Sequence, residues 1–121
     1  MDVADYNARW LKAWSDKDVP ALLGFYAEDC RYFDPQTAQG LNGHAELGPY
    51  LTQLFAMTPA MEYRPDEVWP TETGFCGRWL CHIAGAETPA LRGFDLVVLD
   101  GEKIALNEVY THTLAAAPTA G

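Results

Sequence analysis

The sequence predicts one α+β domain in which three N-terminal helices cover one face of a curved antiparallel sheet. Three observations lead there. With 121 residues the chain suits one core and is too short for two. Apart from one short strand, apolar residues recur at helical spacing up to Phe55 and at strand spacing from Met61 onward. The order of elements, two helices, a short strand, a helix and four longer strands, lacks the alternation that builds a parallel sheet. Helices on one sheet face leave room for a hollow between the layers, and chemistry is expected there.

Over Asp2 to Ser15, Tyr6, Trp10 and Trp14 stand at successive helical turns and make an aromatic stripe facing a core or a pocket. Ser15-Asp16-Lys17-Asp18 breaks that helix. Asp18 caps a second one, which carries Pro20 in its first turn and runs through Leu22, Leu23, Phe25 and Tyr26. Cys30 to Asp34 is strand-like and stops at Pro35, whose ring pushes Asp34 into an extended conformation. Residues 35–42 read as a surface loop. Asn42 offers a cap to a third helix, in which Leu47, Tyr50, Leu51, Leu54 and Phe55 keep helical spacing until Thr58-Pro59. The strands expected next are Met61 to Val68, Gly74 to His82, Leu91 to Leu99 and Lys103 to Thr113. Pro65 puts the first of them at an edge or in a bulge, and Asp100-Gly101 suits a hairpin turn. Residues 115–121 are small and aperiodic and read as a flexible tail, which leaves 1–114 as the domain.

The formal charge of −9 repels phosphate backbones and anionic lipid, so neither nucleic acid nor membrane is an expected partner. The acidic opening Met1-Asp2-Val3-Ala4-Asp5 is unlike a secretory signal, and a cytoplasmic location is expected. Three cysteines, Cys30, Cys76 and Cys81, give neither a disulfide framework nor a Cys-x-x-Cys pair. His44, His82 and His112 show no ligand spacing and read as hydrogen-bonded surface residues, so no metal is expected. A glycine-rich phosphate loop and a Gly-x-Ser-x-Gly elbow are both missing, and no cofactor is expected.

Two acidic residues stand out. On the strand Leu91 to Leu99, Phe94, Leu96 and Val98 share one face and Asp95, Val97 and Leu99 the other. Both faces are apolar, so both are expected to be covered, and Asp95 becomes a lone carboxyl among aliphatic side chains. Such a group tends to stay protonated, and a neutral Asp donates a hydrogen bond. The equal alternative pairs Asp95 with Arg92 or Arg78 near the open strand end, with an ordinary pKa. Asp34 shares the orientation of Cys30 and Tyr32 and projects toward the hollow, where a carboxylate can take a proton from a carbon acid. The commoner role for Asp before Pro is a turn residue whose oxygen binds backbone N–H groups.

Cys30-Arg31-Tyr32-Phe33-Asp34-Pro35, after Phe25-Tyr26-Ala27-Glu28-Asp29 and before Leu41-Asn42-Gly43, resembles the ketosteroid isomerase branch of the superfamily that also holds nuclear transport factor 2 and the SnoaL-like polyketide cyclases. Trp14-Ser15-Asp16-Lys17-Asp18, Gly93-Phe94-Asp95 and Asp100-Gly101-Glu102-Lys103-Ile104 extend the resemblance over nearly the whole chain. It implies a cystatin-like (nuclear transport factor 2-like) cone. It also implies that Asp34 matches the isomerase's general base and Asp95 the protonated acid of its oxyanion hole. Tyr26 falls where some isomerases keep an auxiliary tyrosine. Trp10 stands where the isomerase has its principal phenol, and an indole donates one hydrogen bond but accepts none. Asn107 and Thr111 project into the same hollow if the last strand keeps its phase, so a more polar ligand than a steroid suits the lining. Limonene epoxide hydrolases share the fold but use an Arg flanked by two Asp; Trp79 and Leu80 follow Arg78 here, so that reading is set aside.

The expectation is a cofactor-free isomerase- or cyclase-like enzyme that moves a proton next to a carbonyl on a small neutral, hydrophobic or weakly polar substrate. Asp34 and Asp95 are its catalytic candidates. Trp10, Trp14, Tyr26, Tyr32, Tyr50 and Asn107 are the candidate substrate contacts. Trp69 and Trp79 belong either to the core or to a patch on the outer sheet face, through which a homodimer is expected. The alternative is a non-catalytic binding module or dimerisation scaffold for a small hydrophobic ligand.

Overall fold

The computed structural model describes residues 1–114, and the tail expected over 115–121 lies outside them. The elements run α1 (Val3–Ser15), α2 (Val19–Phe25), β1 (Tyr26–Phe33), β2 (Leu41–Asn42), α3 (Gly43–Met57), β3 (Met61–Pro70), β4 (Gly74–Ile83), β5 (Leu91–Asp100) and β6 (Lys103–Thr113). Helix α1 begins where Asp2 accepts a hydrogen bond from the Asp5 N–H at 3.1 Å, and its stripe buries Tyr6, Trp10 and Trp14. Just beyond its end Lys17 takes a left-handed φ of 54°. The Lys17 ammonium donates to the carbonyls of Phe55 and Thr58 and to Thr58 Oγ1, which ties the end of α1 to the negative end of the α3 dipole.

Helix α2 has the expected cap, with Asp18 accepting from the Ala21 N–H at 3.1 Å and Pro20 in the first turn. It stops one residue short of the sequence expectation. Tyr26 is extended, at φ −96° and ψ 143°, and opens β1, because pairing with Ile104 and full burial of its ring outweigh helical spacing. The strand β2 inside the expected loop pairs only Leu41 and Asn42 with β1, too short a run to show a pattern. Helix α3 starts at Gly43, whose φ of 70° and approach to the Glu28 carbonyl, 2.6 Å from where a Cβ would stand, admit no other residue without strain. The Asn42 side chain makes no cap bond; Glu46 instead accepts from the Asn42 N–H at 2.6 Å.

Six strands form one curved, unclosed sheet in the order β2-β1-β6-β5-β4-β3. Every pairing is antiparallel except β1 with β6, which brings the chain's first strand alongside its last in parallel. Strand β3 is an edge and also shifts register between Pro65 and Glu67, so the proline, which has no N–H to give, meets both expectations. The inner face carries buried Phe75, Trp79, Asp95, Val97 and Asn107 against the helices. Among the described residues none covers the outer face of β5: Phe94 is 40% exposed, beside Trp69 at 38% and Tyr110 at 61%. Of the two tryptophans assigned to core or patch, Trp69 is therefore on the outside. Trp79 is inside, where its ring fills the space left by Gly93 on the neighbouring strand; a Cβ there would stand 2.0 Å from the indole.

Candidate active site

A cavity of about 310 Å³ opens between α1, α3 and the inner sheet face, at the small end of the range for ligand sites. Its wall is rich in aromatic side chains, with Trp10 and Trp14 from α1, Trp79 from β4, Tyr32 from β1, Tyr50 and Phe55 from α3 and Tyr63 from β3. Asp34 and Asp95 both face it. Thr111, expected in the hollow, lies at its exposed rim with Gln36.

Asp34 follows the last residue of β1 and is half-buried. Its two oxygens do different work. Oδ1 accepts from the N–H of Gln36 at 2.8 Å, the N–H of Thr37 at 2.9 Å and Thr37 Oγ1 at 3.0 Å, which is the turn role that sequence context favours. Oδ2 accepts from Tyr50 Oη at 2.6 Å and Tyr32 Oη at 2.9 Å. Both phenols are held protonated, as donors: burial first, then the neighbouring Asp34, raises each above the usual tyrosine range. One oxygen thus serves the turn, and the other takes two phenols of the cavity wall.

Asp95 lies in mid-strand and is 1% exposed. Trp79 Nε1 donates to its Oδ2 at 2.6 Å and Asn107 Nδ2 to its Oδ1 at 3.2 Å. Burial pushes the carboxyl up to about 7, opposed by those two bonds, which favour the ionised form. The alternative that paired it with an arginine does not hold. Register sets Arg78 opposite Phe94 on the outer face, where it bridges to Asp66 at 2.7 Å, and Arg92 is exposed and reaches His112.

Six of the eight candidate residues, Trp10, Trp14, Tyr32, Asp34, Tyr50 and Asp95, line this one cavity. Tyr26 and Asn107 do not. They stand behind Asp95, buried, with Tyr26 Oη donating to Asn107 Oδ1 at 2.9 Å, so Asn107 is oriented to offer its amide N–H to the carboxyl. Trp10 lines the cavity, but its Nε1–H meets no hydrogen-bond partner among the described residues. The indole donor on Asp95 is Trp79, a residue that the sequence reading left between core and outer patch and gave no place in the site. The available signal was Gly93, a glycine inside a strand where something bulky approaches closely. His82 is buried rather than superficial, bonded through Nδ1 to the Ala86 carbonyl at 3.0 Å, because it closes the turn after β4.

The SnoaL-like domain family matches residues 7–107. No curated protein matches. Among solved structures the chain resembles a protein of ketosteroid isomerase-like fold from Catenulispora acidiphila in complex with trimethylamine, at 22% identity and a TM-score of 0.74 over 91% of this chain and 86% of that one. A candidate isomerase of the SnoaL-like family from Agrobacterium tumefaciens aligns at 15% identity and a TM-score of 0.76, covering 91% and 97%. A cystatin-like protein from Silicibacter pomeroyi aligns at 20% identity and a TM-score of 0.68, covering 90% and 74%. At these identities the likeness establishes the fold alone.

Proposed function

The chain belongs to the SnoaL-like domain family, and on that premise we propose that its cavity carries out proton transfer beside a carbonyl, as an isomerase or a cyclase does. One observation carries the reading: two carboxyl groups in opposite surroundings open onto one apolar cavity. Asp34, surrounded by donors that suit a carboxylate, takes the α-proton. Asp95, whose burial favours the neutral acid, donates a hydrogen bond to the carbonyl oxygen as enolate charge develops there. The proton then returns from Asp34 to the carbon skeleton at the new position. Trp79 and Asn107 hold the Asp95 carboxyl at a fixed angle for that task.

Asp34→Asn tests this. With a panel of enones and polyketide-like aldehydes, kcat is expected to fall about 10²- to 10⁴-fold with little change in KM. Undiminished turnover in the variant would overturn the reading. The second reading, a binding module without turnover, is favoured by the unpaired Trp10 N–H standing where an isomerase phenol would be. It predicts ligand binding with no turnover in the wild-type protein. The trimethylamine complex of the Catenulispora acidiphila protein adds a small organic amine to the ligands worth testing in either case. The exposed Trp69, Phe94 and Tyr110 on the outer sheet face support the homodimer expected from the sequence.

A further inference from the structure

The cavity combines aromatic walls with negative charge that nothing nearby cancels. Three indoles, Trp10, Trp14 and Trp79, and three phenols, Tyr32, Tyr50 and Tyr63, surround the space that Asp34 and Asp95 face. Among the described residues no Lys, Arg or His lines it, and the ion pairs, Arg9–Asp5, Lys12–Asp16, Arg64–Glu62 and Arg78–Asp66, leave both carboxyls out. The donors on Asp34 are neutral hydroxyls and backbone amides. They satisfy its lone pairs without neutralising its charge. The surface adds a field of the same sign, with a net charge of −9.

An aromatic face is the negative part of the ring quadrupole, so a cation among such faces beside an uncancelled carboxylate is attracted by both. The opposing cost is removal of the cation from water, which is high for a bare ion or a primary ammonium and lower when alkyl groups spread and shield the charge. Alkyl groups also suit the apolar remainder of the wall, Leu11, Leu54, Leu91 and Val109. We infer that the cavity binds a small tertiary or quaternary organic ammonium, with the rings packed around its alkyl groups and Asp34 as the counter-charge. This names the ligand class of the site proposed above. It rests on that site being the binding cavity and not on the proton transfer.

Calorimetric titration of the wild-type protein with choline and with its neutral carbon isostere, 3,3-dimethylbutan-1-ol, separates charge from shape. Near physiological salt, choline is expected to bind at one site at least about tenfold tighter than the isostere, equivalent to about 1.4 kcal/mol, and to quench tryptophan fluorescence. Asp34→Asn, with an unchanged circular dichroism spectrum, is expected to narrow that ratio. Equal binding of the two ligands, binding of neither at millimolar concentration, or a folded Asp34→Asn protein that keeps the full ratio would each overturn the inference. Enone turnover is measured with no ammonium present, so its absence counts against proton transfer alone, and loss of the ammonium preference counts against this inference alone.

Discussion

Asp34 and Asp95 face the same cavity but are held by different kinds of contact. Around Asp34 three of the five donated hydrogen bonds come from Gln36 and Thr37, two and three residues away, and only Tyr50 reaches in from another element. Around Asp95 both donors are distant in the chain, Trp79 on β4 and Asn107 on β6, and Asn107 is itself fixed by Tyr26 on β1. The first carboxyl keeps access to water at the cavity rim. The second lies buried at the cavity's sheet wall, and its proton affinity is set by what the sheet brings around it. A local turn can position a carboxylate, but raising the proton affinity of one takes the burial that four assembled strands supply.

That contrast can be broken from either side. The largest effect is expected on turnover, where Asp34→Asn removes the base outright, while Asp95→Asn keeps an amide donor in place and is expected to cost only about 10- to 100-fold; steady-state kinetics on the two variants compares them. A larger loss at Asp95 than at Asp34 would reverse the assignment of roles. Next comes stability. Gly93→Ala drives a Cβ into the Trp79 ring, so the indole must leave Asp95, at a cost of about 1–3 kcal/mol read from the urea midpoint, with a shifted tryptophan emission.

A pH dependence follows from Asp95. Its folded pKa, about 7, lies above the ordinary 3.8, so the native protein retains a proton that the unfolded chain has released between those values. Its contribution to stability is full below about pH 3.8 and is lost as pH rises through about 7. Turnover is expected to fall over the same upper limb as the oxyanion donor ionises. Urea titrations across this range check the sign, and Asp95→Asn is expected to flatten both profiles. The smallest effect is expected from Tyr26→Phe, which removes one buried hydrogen bond from Asn107, worth about 1 kcal/mol, and leaves the Asp34 corner untouched.

The two surroundings also mark what could be read in advance. Helix caps, the aromatic stripe of α1, the Pro35 turn at Asp34 and the strand alternation around Asp95 are written in neighbouring residues, because capping, ring constraint and side-chain period act over a few positions. Tyr26 was misplaced by helical spacing, since its strand partner Ile104 lies far along the chain. That Trp79 stands beside Asp95 was decided by strand register, and Gly93 hinted at the close approach without saying which side chain made it.

By itself the sequence determined the order of the longer elements, the strand face that Asp95 shares with Val97 and the turn that holds Asp34, all consequences of local geometry and of apolar surface leaving water. The tertiary structure decided that β1 runs parallel to β6, that the indole donor on Asp95 comes from Trp79, and that Tyr26 and Asn107 stand behind the cavity rather than in it. The reason is the same in each case. Which strands become neighbours, and in what register, depends on closing long loops around a shared core, and no short stretch of chain contains both partners.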